Sequence, residues 1–169
     1  MAKPTKYATP ICTILTIIAV IGIVIGFIKN NPLILVLMVL PTVIYEVYRT
    51  EGKSTRWASW ILLAVFILEI IFIAFKINFD LGAFLGKTQA TVGGYNVPLG
   101  DIKIVGPVII AVLSIILFIK TRGAYTKWLS VIIILSSFAV IYLLDTNIFQ
   151  TLLKFGVDQG MDQVLNQIN

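Results

Sequence analysis

Five long runs of apolar residues decide what this chain of 169 residues can fold into. The runs cover residues 11–28, 33–47, 57–75, 104–119 and 128–144. A helix rises about 1.5 Å per residue and the hydrocarbon layer of a bilayer is about 30 Å thick, so roughly 20 apolar residues cross it. The pattern therefore predicts an all-α membrane protein, a bundle of about five transmembrane helices.

The composition favours a membrane protein over a soluble one. Hydrophobic residues make up 59 % of the chain and charged residues 12 %, whereas about 25 % of the residues of a soluble domain are charged. The mean hydropathy is +1.00. One such run is common as a buried core helix, but five in succession leave no polar surface to cover them. We therefore expect the lipid bilayer to be the main partner of the chain.

The chain lacks the residue types on which most catalytic and metal sites depend. It has no histidine and one cysteine, Cys12, which rules out an internal disulfide bond and the usual His/Cys patterns of metal ligands. It also has no glycine-rich phosphate loop and no convincing acid–base pair. We expect no enzymatic activity, no cofactor and no metal. The net charge of +5 is interpreted as a signal of membrane topology and not of nucleic-acid binding.

The first two runs need separate interpretation. Run 11–28 follows two lysines, as a signal peptide does, but it is too long and lacks a small-x-small cleavage site, so it is interpreted as a permanent anchor. Run 33–47 contains Pro41, and three alternatives stay open for it: a short span, a kinked helix or a re-entrant segment. Between them, Asn30 or Asn31 is expected to cap a helix that has Pro32 at its first position.

The distribution of basic residues predicts the orientation. Two turns, one after run 33–47 and one after run 104–119, carry basic side chains: Arg49, Lys53, Arg56, Lys120, Arg122 and Lys127. Five spans place both turns on the side of the N-terminus, and short loops rich in Lys and Arg stay in the cytoplasm. We therefore expect a multi-pass protein of the cytoplasmic (inner) membrane, with its N-terminus inside and its C-terminus outside.

The two basic turns resemble each other when the sequence is shifted by 71 residues. Residues 49–59 and 120–130 then share five of eleven positions, among them a glycine and a tryptophan, and two more positions keep a positive charge. One hypothesis is duplication, which gives one helix followed by two parallel helix-hairpin repeats. The other is that any inner turn between two spans favours these residue types, since cations suit helix C-termini and tryptophan suits the headgroup layer.

Glu69 is the most informative polar residue because it interrupts run 57–75 in its outer half. A charge at that depth costs several kcal/mol, so the side chain should face the bundle interior or stay protonated. Partners expected at a similar depth are Thr16, Ser136 and Ser137. One interpretation is an ion or proton site, and the other is a hydrogen bond that fastens run 57–75 to run 128–144 or to a partner subunit. The second is preferred, because Glu46 is expected at the inner interface and no second intramembrane acid remains.

Small residues predict where the first run packs. Gly22 and Gly26 form a G-x-x-x-G motif, with Ala19 on nearly the same helix face, and small residues let two helix backbones approach closely. Contact with another helix of this chain is expected over dimerisation.

Two segments are expected outside the membrane. The outer loop, residues 76–103, contains Gly93-Gly94 between strand-like residues, a signal for a β-hairpin. Residues 1–145 form the transmembrane domain, and the tail, residues 146–169, has the spacing of an amphipathic helix.

Three functions fit these features. The first hypothesis is an accessory or assembly subunit that acts through helix packing, the outer loop and the tail, with other membrane subunits or a homo-oligomer as partners. The alternative is a small transporter or channel that uses Glu69. A lipid-handling protein that uses the basic turns is a third and weaker hypothesis. No nucleic-acid partner is expected.

Overall fold

The computed structural model describes residues 7–77, 89–92, 95–98, 102–147, 149–150 and 154. The described part contains five long helices and one pair of short strands. In chain order they are α1 (Ala8–Lys29), α2 (Pro32–Arg49), α3 (Lys53–Ala74), β1 (Gln89–Val92), β2 (Tyr95–Pro98), α4 (Ile102–Lys120) and α5 (Ala124–Leu144). Each of the five apolar runs lies in one of these helices, apart from the last residue of run 57–75. The protein is an all-α bundle of membrane-spanning type.

Local sequence explains where α1 ends and α2 begins. Asn30 adopts the left-handed conformation with φ 46°, which lets its backbone N–H and that of Asn31 reach carbonyl groups in the last turn of α1. The Asn31 side chain then accepts a hydrogen bond of 3.0 Å from the backbone N–H of Leu33. Pro32 takes the first helical position, where its missing N–H costs nothing. The predicted cap is confirmed at Asn31.

Four helices form a ring of two hairpins. The first hairpin is α2 with α3 and the second is α4 with α5. Within the ring α3 packs on α4 and α2 packs on α5, while α1 lies outside the ring against α2 and α5. The ring encloses an apolar core in which Val39, Leu62 and Ile133 are fully buried. Helix α2 continues through Pro41 without interruption.

The outward faces of the helices are strongly apolar. Ile28, Trp57 and Phe75 are between 73 % and 75 % exposed, which would be costly in water and is natural in lipid. Four described segments, Ala8–Lys29, Pro32–Arg49, Ser54–Ala74 and Ala124–Leu144, are long and apolar enough to cross a membrane. Ile104–Lys120 of α4 is a shorter apolar helix packed between α3 and α5.

Helix α1 uses its small residues for contact within the chain. Ala19, Gly22 and Gly26 are all buried. A Cβ atom on Gly22 would overlap Met38 of α2, and one on Gly26 would lie 3.0 Å from the Cβ of Leu35. The close approach of α1 to α2 therefore depends on these two glycines.

The outer loop contains the expected hairpin. Strands β1 and β2 pair antiparallel, with Val92 opposite Tyr95 and Gln89 opposite Pro98. This register leaves two residues for the loop, as the Gly-Gly signal predicts. The predicted amphipathic helix of the tail lies almost wholly outside the described residues.

The two basic turns have corresponding hydrogen bonds at the same shift of 71 residues. The hydroxyl of Thr50 donates to the carbonyl of Glu46 at 2.8 Å, and that of Thr121 donates to the carbonyl of Leu117 at 2.6 Å. Helices α3 and α5 both begin after a glycine, Gly52 or Gly123. The threonine three residues after each glycine donates to that glycine's carbonyl. The glycines differ in conformation, since φ is 101° at Gly52 and −77° at Gly123.

Burial follows the same shift through both hairpins. Nine pairs of positions separated by 71 residues are buried in both copies: 36 and 107, 39 and 110, 43 and 114, 46 and 117, 50 and 121, 59 and 130, 62 and 133, 66 and 137, and 69 and 140. The two hairpins therefore share much of their inward-facing pattern.

Candidate functional site

Glu69 lies at the centre of the helix ring. Its side chain is 1 % exposed and borders a cavity of about 10 Å³, which is room for about one water molecule. Ser136 and Ser137 of α5 border the same cavity, together with Pro107 of α4 and an apolar wall from α2. The fold thus brings together three of the four polar residues singled out within the membrane.

Helix α4 accommodates the Glu69 carboxylate through a glycine. A Cβ atom on Gly106 would overlap Oε2 of Glu69, so an alanine at this position requires the carboxylate or the backbone to move. Pro107 follows directly and is buried. The α3–α4 contact is therefore shaped around this carboxylate.

The two serines of α5 are satisfied to different degrees. The hydroxyl of Ser137 donates to the carbonyl of Ile133 at 2.8 Å, which is the usual solution for a hydroxyl in a membrane helix. The Ser136 hydroxyl has no hydrogen-bond partner within the described residues. An unsatisfied buried hydroxyl costs about 1–3 kcal/mol, so the position of Ser136 beside the cavity lowers the stability of the fold.

Thr16 does not join the cavity. Its hydroxyl donates to the carbonyl of Cys12 at 2.7 Å and accepts a hydrogen bond of 3.0 Å from Nε1 of Trp128. This contact ties α1 to the start of α5. The expectation that Thr16 stands near Glu69 is corrected, because α1 lies outside the ring.

A second carboxylate, Glu46, is buried near the turn end of α2. It is 0 % exposed, so it packs inside the bundle, which its expected level near the inner interface did not indicate. Its Oε1 atom is 3.3 Å from the Thr50 hydroxyl and 3.5 Å from the Ser130 hydroxyl. Both hydroxyls make shorter bonds to backbone carbonyls, and Oε2 of Glu46 has no partner in the described chain. The carboxylate is therefore weakly solvated by the protein.

The burial of Glu46 could have been predicted from the helical spacing of the residues around it. Leu35, Val39, Thr42 and Glu46 are spaced by three or four residues and are all buried, so they form one face of α2. The neighbouring Arg49 obscures this, because it suggests an exposed interface. The Arg49 guanidinium instead lies over the Tyr125 ring, 5.1 Å from its centroid, and joins the two basic turns.

Further buried polar side chains lie at levels between those of the two acids. Along their helices, Glu46 lies about 5 Å from Arg49 and Glu69 about 20 Å from Arg56. Thr42 of α2 lies about 10 Å from Arg49, and Ser114 of α4 lies about 9 Å from Lys120 at the turn end of its helix. Both residues therefore lie between the levels of the two acids. Both are 0 % exposed, and their hydroxyls have no partner among the residues described. We call Glu46, Thr42, Ser114, Ser136, Ser137 and Glu69 the polar column.

The basic residues of the turns lie in different environments. Arg56, Lys120 and Arg122 are exposed. Lys127 is half-buried, with its Nζ 5.5 Å from the centroid of the Phe118 ring. Lys53 begins α3. In the described part of the chain, no group of three or more metal-ligating His, Cys, Asp or Glu side chains occurs.

Comparison of this chain with protein-family models, with curated proteins and with solved structures finds no match. The function of the chain is therefore inferred from the geometry of the site.

Proposed function

We propose that this protein is a small transporter or channel that moves protons through the interface between its two hairpins, with Glu69 as the central proton-binding group. The observation that carries the proposal is the polar column, to which α2, α3, α4 and α5 all contribute buried oxygen atoms. Intramembrane acids that face a bundle interior are characteristic of proton relays. The presence of Glu46 removes the main argument for a purely structural Glu69, which was that no second acid accompanies it.

The spacing of the column suits protons. The polar levels stand roughly 5 Å apart along the helices, and two hydrogen bonds through one water molecule span about 5.5 Å. A cavity of about 10 Å³ at Glu69 is too small for a hydrated metal cation but holds about one water molecule. Glu46 places the lower end of the column near the basic turns, where water is close.

Proton flux into liposomes tests this proposal. The full-length protein is reconstituted with a pH-sensitive dye inside, and a potassium diffusion potential drives protons inward. We expect wild type to acidify the lumen faster than protein-free liposomes do. Glu69→Gln should reduce the rate to that of protein-free liposomes, because an amide of the same shape cannot release a proton.

The matched control is Glu51→Gln, which removes an exposed carboxylate in the first basic turn and should leave the flux unchanged. Equal flux in wild type and Glu69→Gln would overturn the proposal. Wild-type flux no faster than that of protein-free liposomes would do the same.

An accessory or assembly role is the second candidate, and the tightness of the ring favours it. The central cavity is small, and several buried hydroxyls donate to carbonyls of their own helices, as in a static core. Purification in mild detergent distinguishes the two candidates, since a subunit should co-purify with a stoichiometric membrane partner. A single species without a partner counts against this role.

We propose further that the chain lies in the cytoplasmic membrane with both basic turns inside, which the distribution of lysine and arginine supports. Duplication of one hairpin is the proposed origin of the ring. The nine shared buried positions and the corresponding turn hydrogen bonds support it. The two halves then run parallel about an axis along the membrane normal.

A further inference from the structure

A groove opens between α2 and α3 on the lipid-facing surface of the bundle, at the level of the first basic turn. Its volume is about 310 Å³. Ile44, Val47 and Leu63 form its apolar part, and Tyr48, Trp60 and Arg56 lie at its turn end. The groove therefore combines a hydrocarbon-like surface with aromatic groups and one cation.

A second and more apolar groove adjoins the first. It has a volume of about 490 Å³ and lies between α1 and α2, lined by residues such as Leu15, Leu37 and Pro41. Ile44 and Tyr48 line both grooves. The two grooves therefore meet at Tyr48, close to the cation of Arg56.

In the second hairpin the corresponding cation contacts an aromatic ring. Shifted by 71 residues, Arg56 corresponds to Lys127 and Val47 corresponds to Phe118. There the Lys127 ammonium lies over the Phe118 ring, so the cation is engaged within the protein. In the first hairpin the corresponding side chain is the smaller Val47, and both Val47 and Arg56 line the groove.

We propose that the paired grooves bind one anionic diacyl phospholipid. The two acyl chains lie in the α1–α2 and α2–α3 grooves, and the phosphate pairs with Arg56. Arginine suits a phosphate because its planar fork donates two parallel hydrogen bonds. Trp60 and Tyr48 lie at the depth of the headgroup and glycerol region, where such rings are favoured. This site is independent of the proposed proton function.

Quenching of Trp60 by brominated lipid tests the site. A Trp57→Phe, Trp128→Phe background leaves Trp60 as the only tryptophan. The full-length protein is reconstituted in zwitterionic bilayers that contain a low mole fraction of brominated phosphatidylglycerol or, separately, brominated phosphatidylcholine. One basic residue near anionic lipid contributes about a fivefold preference, so we expect about that ratio between the apparent affinities.

Two variants and one control locate the binding site. Arg56→Gln should make the two lipids equivalent. Val47→Phe should remove saturable quenching by either lipid, because the larger ring occupies part of the groove that Val47 lines. Lys127→Gln is the matched control and should keep the wild-type preference. The melting temperature of each variant in detergent establishes that it is folded, and Arg56→Gln decides alone if Val47→Phe is not.

Three results would overturn the proposal. The first is equal quenching by the two lipids in the Trp60-only protein. The second is an unchanged preference in folded Arg56→Gln. The third is release of the brominated lipid by soluble glycerol phosphate, which would show that the site recognises a free phosphate group and not a membrane lipid. Glu69→Gln should leave the lipid preference unchanged, so failure of the proton proposal does not affect this test.

Discussion

At the scale of single residues, burial of acids is the property that distinguishes this protein from an inert helix bundle. Glu46 and Glu69 are 0 % and 1 % exposed, and both stand on the first hairpin at its interface with the second. Burying a carboxylate without full compensation costs several kcal/mol. The burial of two acids in one small bundle is the basis for proposing that they serve a purpose other than stability.

The close contact between Glu69 and Gly106 yields a prediction for stability. Gly106→Ala should lower the free energy of unfolding by about 1–3 kcal/mol, the usual cost of overpacking, because the new methyl group overlaps the carboxylate. In a Glu69→Ala background the same substitution should cost much less, since the space is then free. A double-mutant cycle in detergent measures this coupling. Additive effects of the two substitutions would contradict the contact.

Glu46 permits a test that separates stability from function. The corresponding residue of the second hairpin is Leu117, which is fully buried. Glu46→Leu should leave the free energy of unfolding unchanged or raise it by about 1–4 kcal/mol, because apolar replacement of a buried charge removes its desolvation cost. Thr50 and Ser130 keep their bonds to backbone carbonyls.

The same Glu46→Leu protein should lose the proton flux proposed for wild type. Unfolding measurements and liposome assays on one preparation test both halves of this prediction. A destabilised Glu46→Leu variant would mean that the carboxylate is a structural anchor, and a stable variant with full flux would remove Glu46 from the pathway.

At the scale of helices, α1 depends on two glycines for its contact with α2. Gly22→Leu should lower the free energy of unfolding by about 1–3 kcal/mol through overpacking, because any Cβ there overlaps Met38. Val24 on the same helix is 50 % exposed, so Val24→Leu should change the free energy of unfolding by no more than about 0.5 kcal/mol. Thermal or denaturant unfolding in detergent compares the two variants. Equal effects would show that α1 does not pack as described.

The two hairpins differ where function is proposed. Nine of their inward positions are buried in both hairpins, yet the acids at 46 and 69 correspond to Leu117 and Val140 in the second hairpin. If duplication produced the ring, the acids mark one copy as the proton-binding half. The groove lined by Val47 and the contact of Lys127 with Phe118 also distinguish the two hairpins.

At the scale of the whole molecule, the sequence predicted the helices well because their formation depends on local properties. Apolar length decides a membrane helix, Asn31 and Pro32 decide where α2 begins, and two glycines allow the tight loop between β1 and β2. These signals lie within a few residues of the elements they determine. Their positions could therefore be read without knowledge of the tertiary fold.

The candidate site was less predictable because it depends on contacts between distant residues. Glu46 is buried by α5, whose Ser130 is 84 positions away, and its neighbour Arg49 suggested an exposed interface. Gly106 has an importance that only the position of Glu69 reveals. The placement of Thr16 failed for the same reason, since depth along a helix does not specify which face of the bundle a side chain reaches.

Labelling of single cysteines tests the central claim, which is that the chain crosses the membrane five times with both basic turns on the side of its N-terminus. In a Cys12→Ser background, one cysteine replaces Tyr7, Asn30, Glu51, Arg122 or Thr146, all exposed near helix ends. A membrane-impermeant maleimide is applied to intact cells and to opened membranes. The account predicts labelling of positions 30 and 146 in intact cells, and labelling of positions 7, 51 and 122 only after opening. Labelling of positions 7 and 146 from the same side would contradict it.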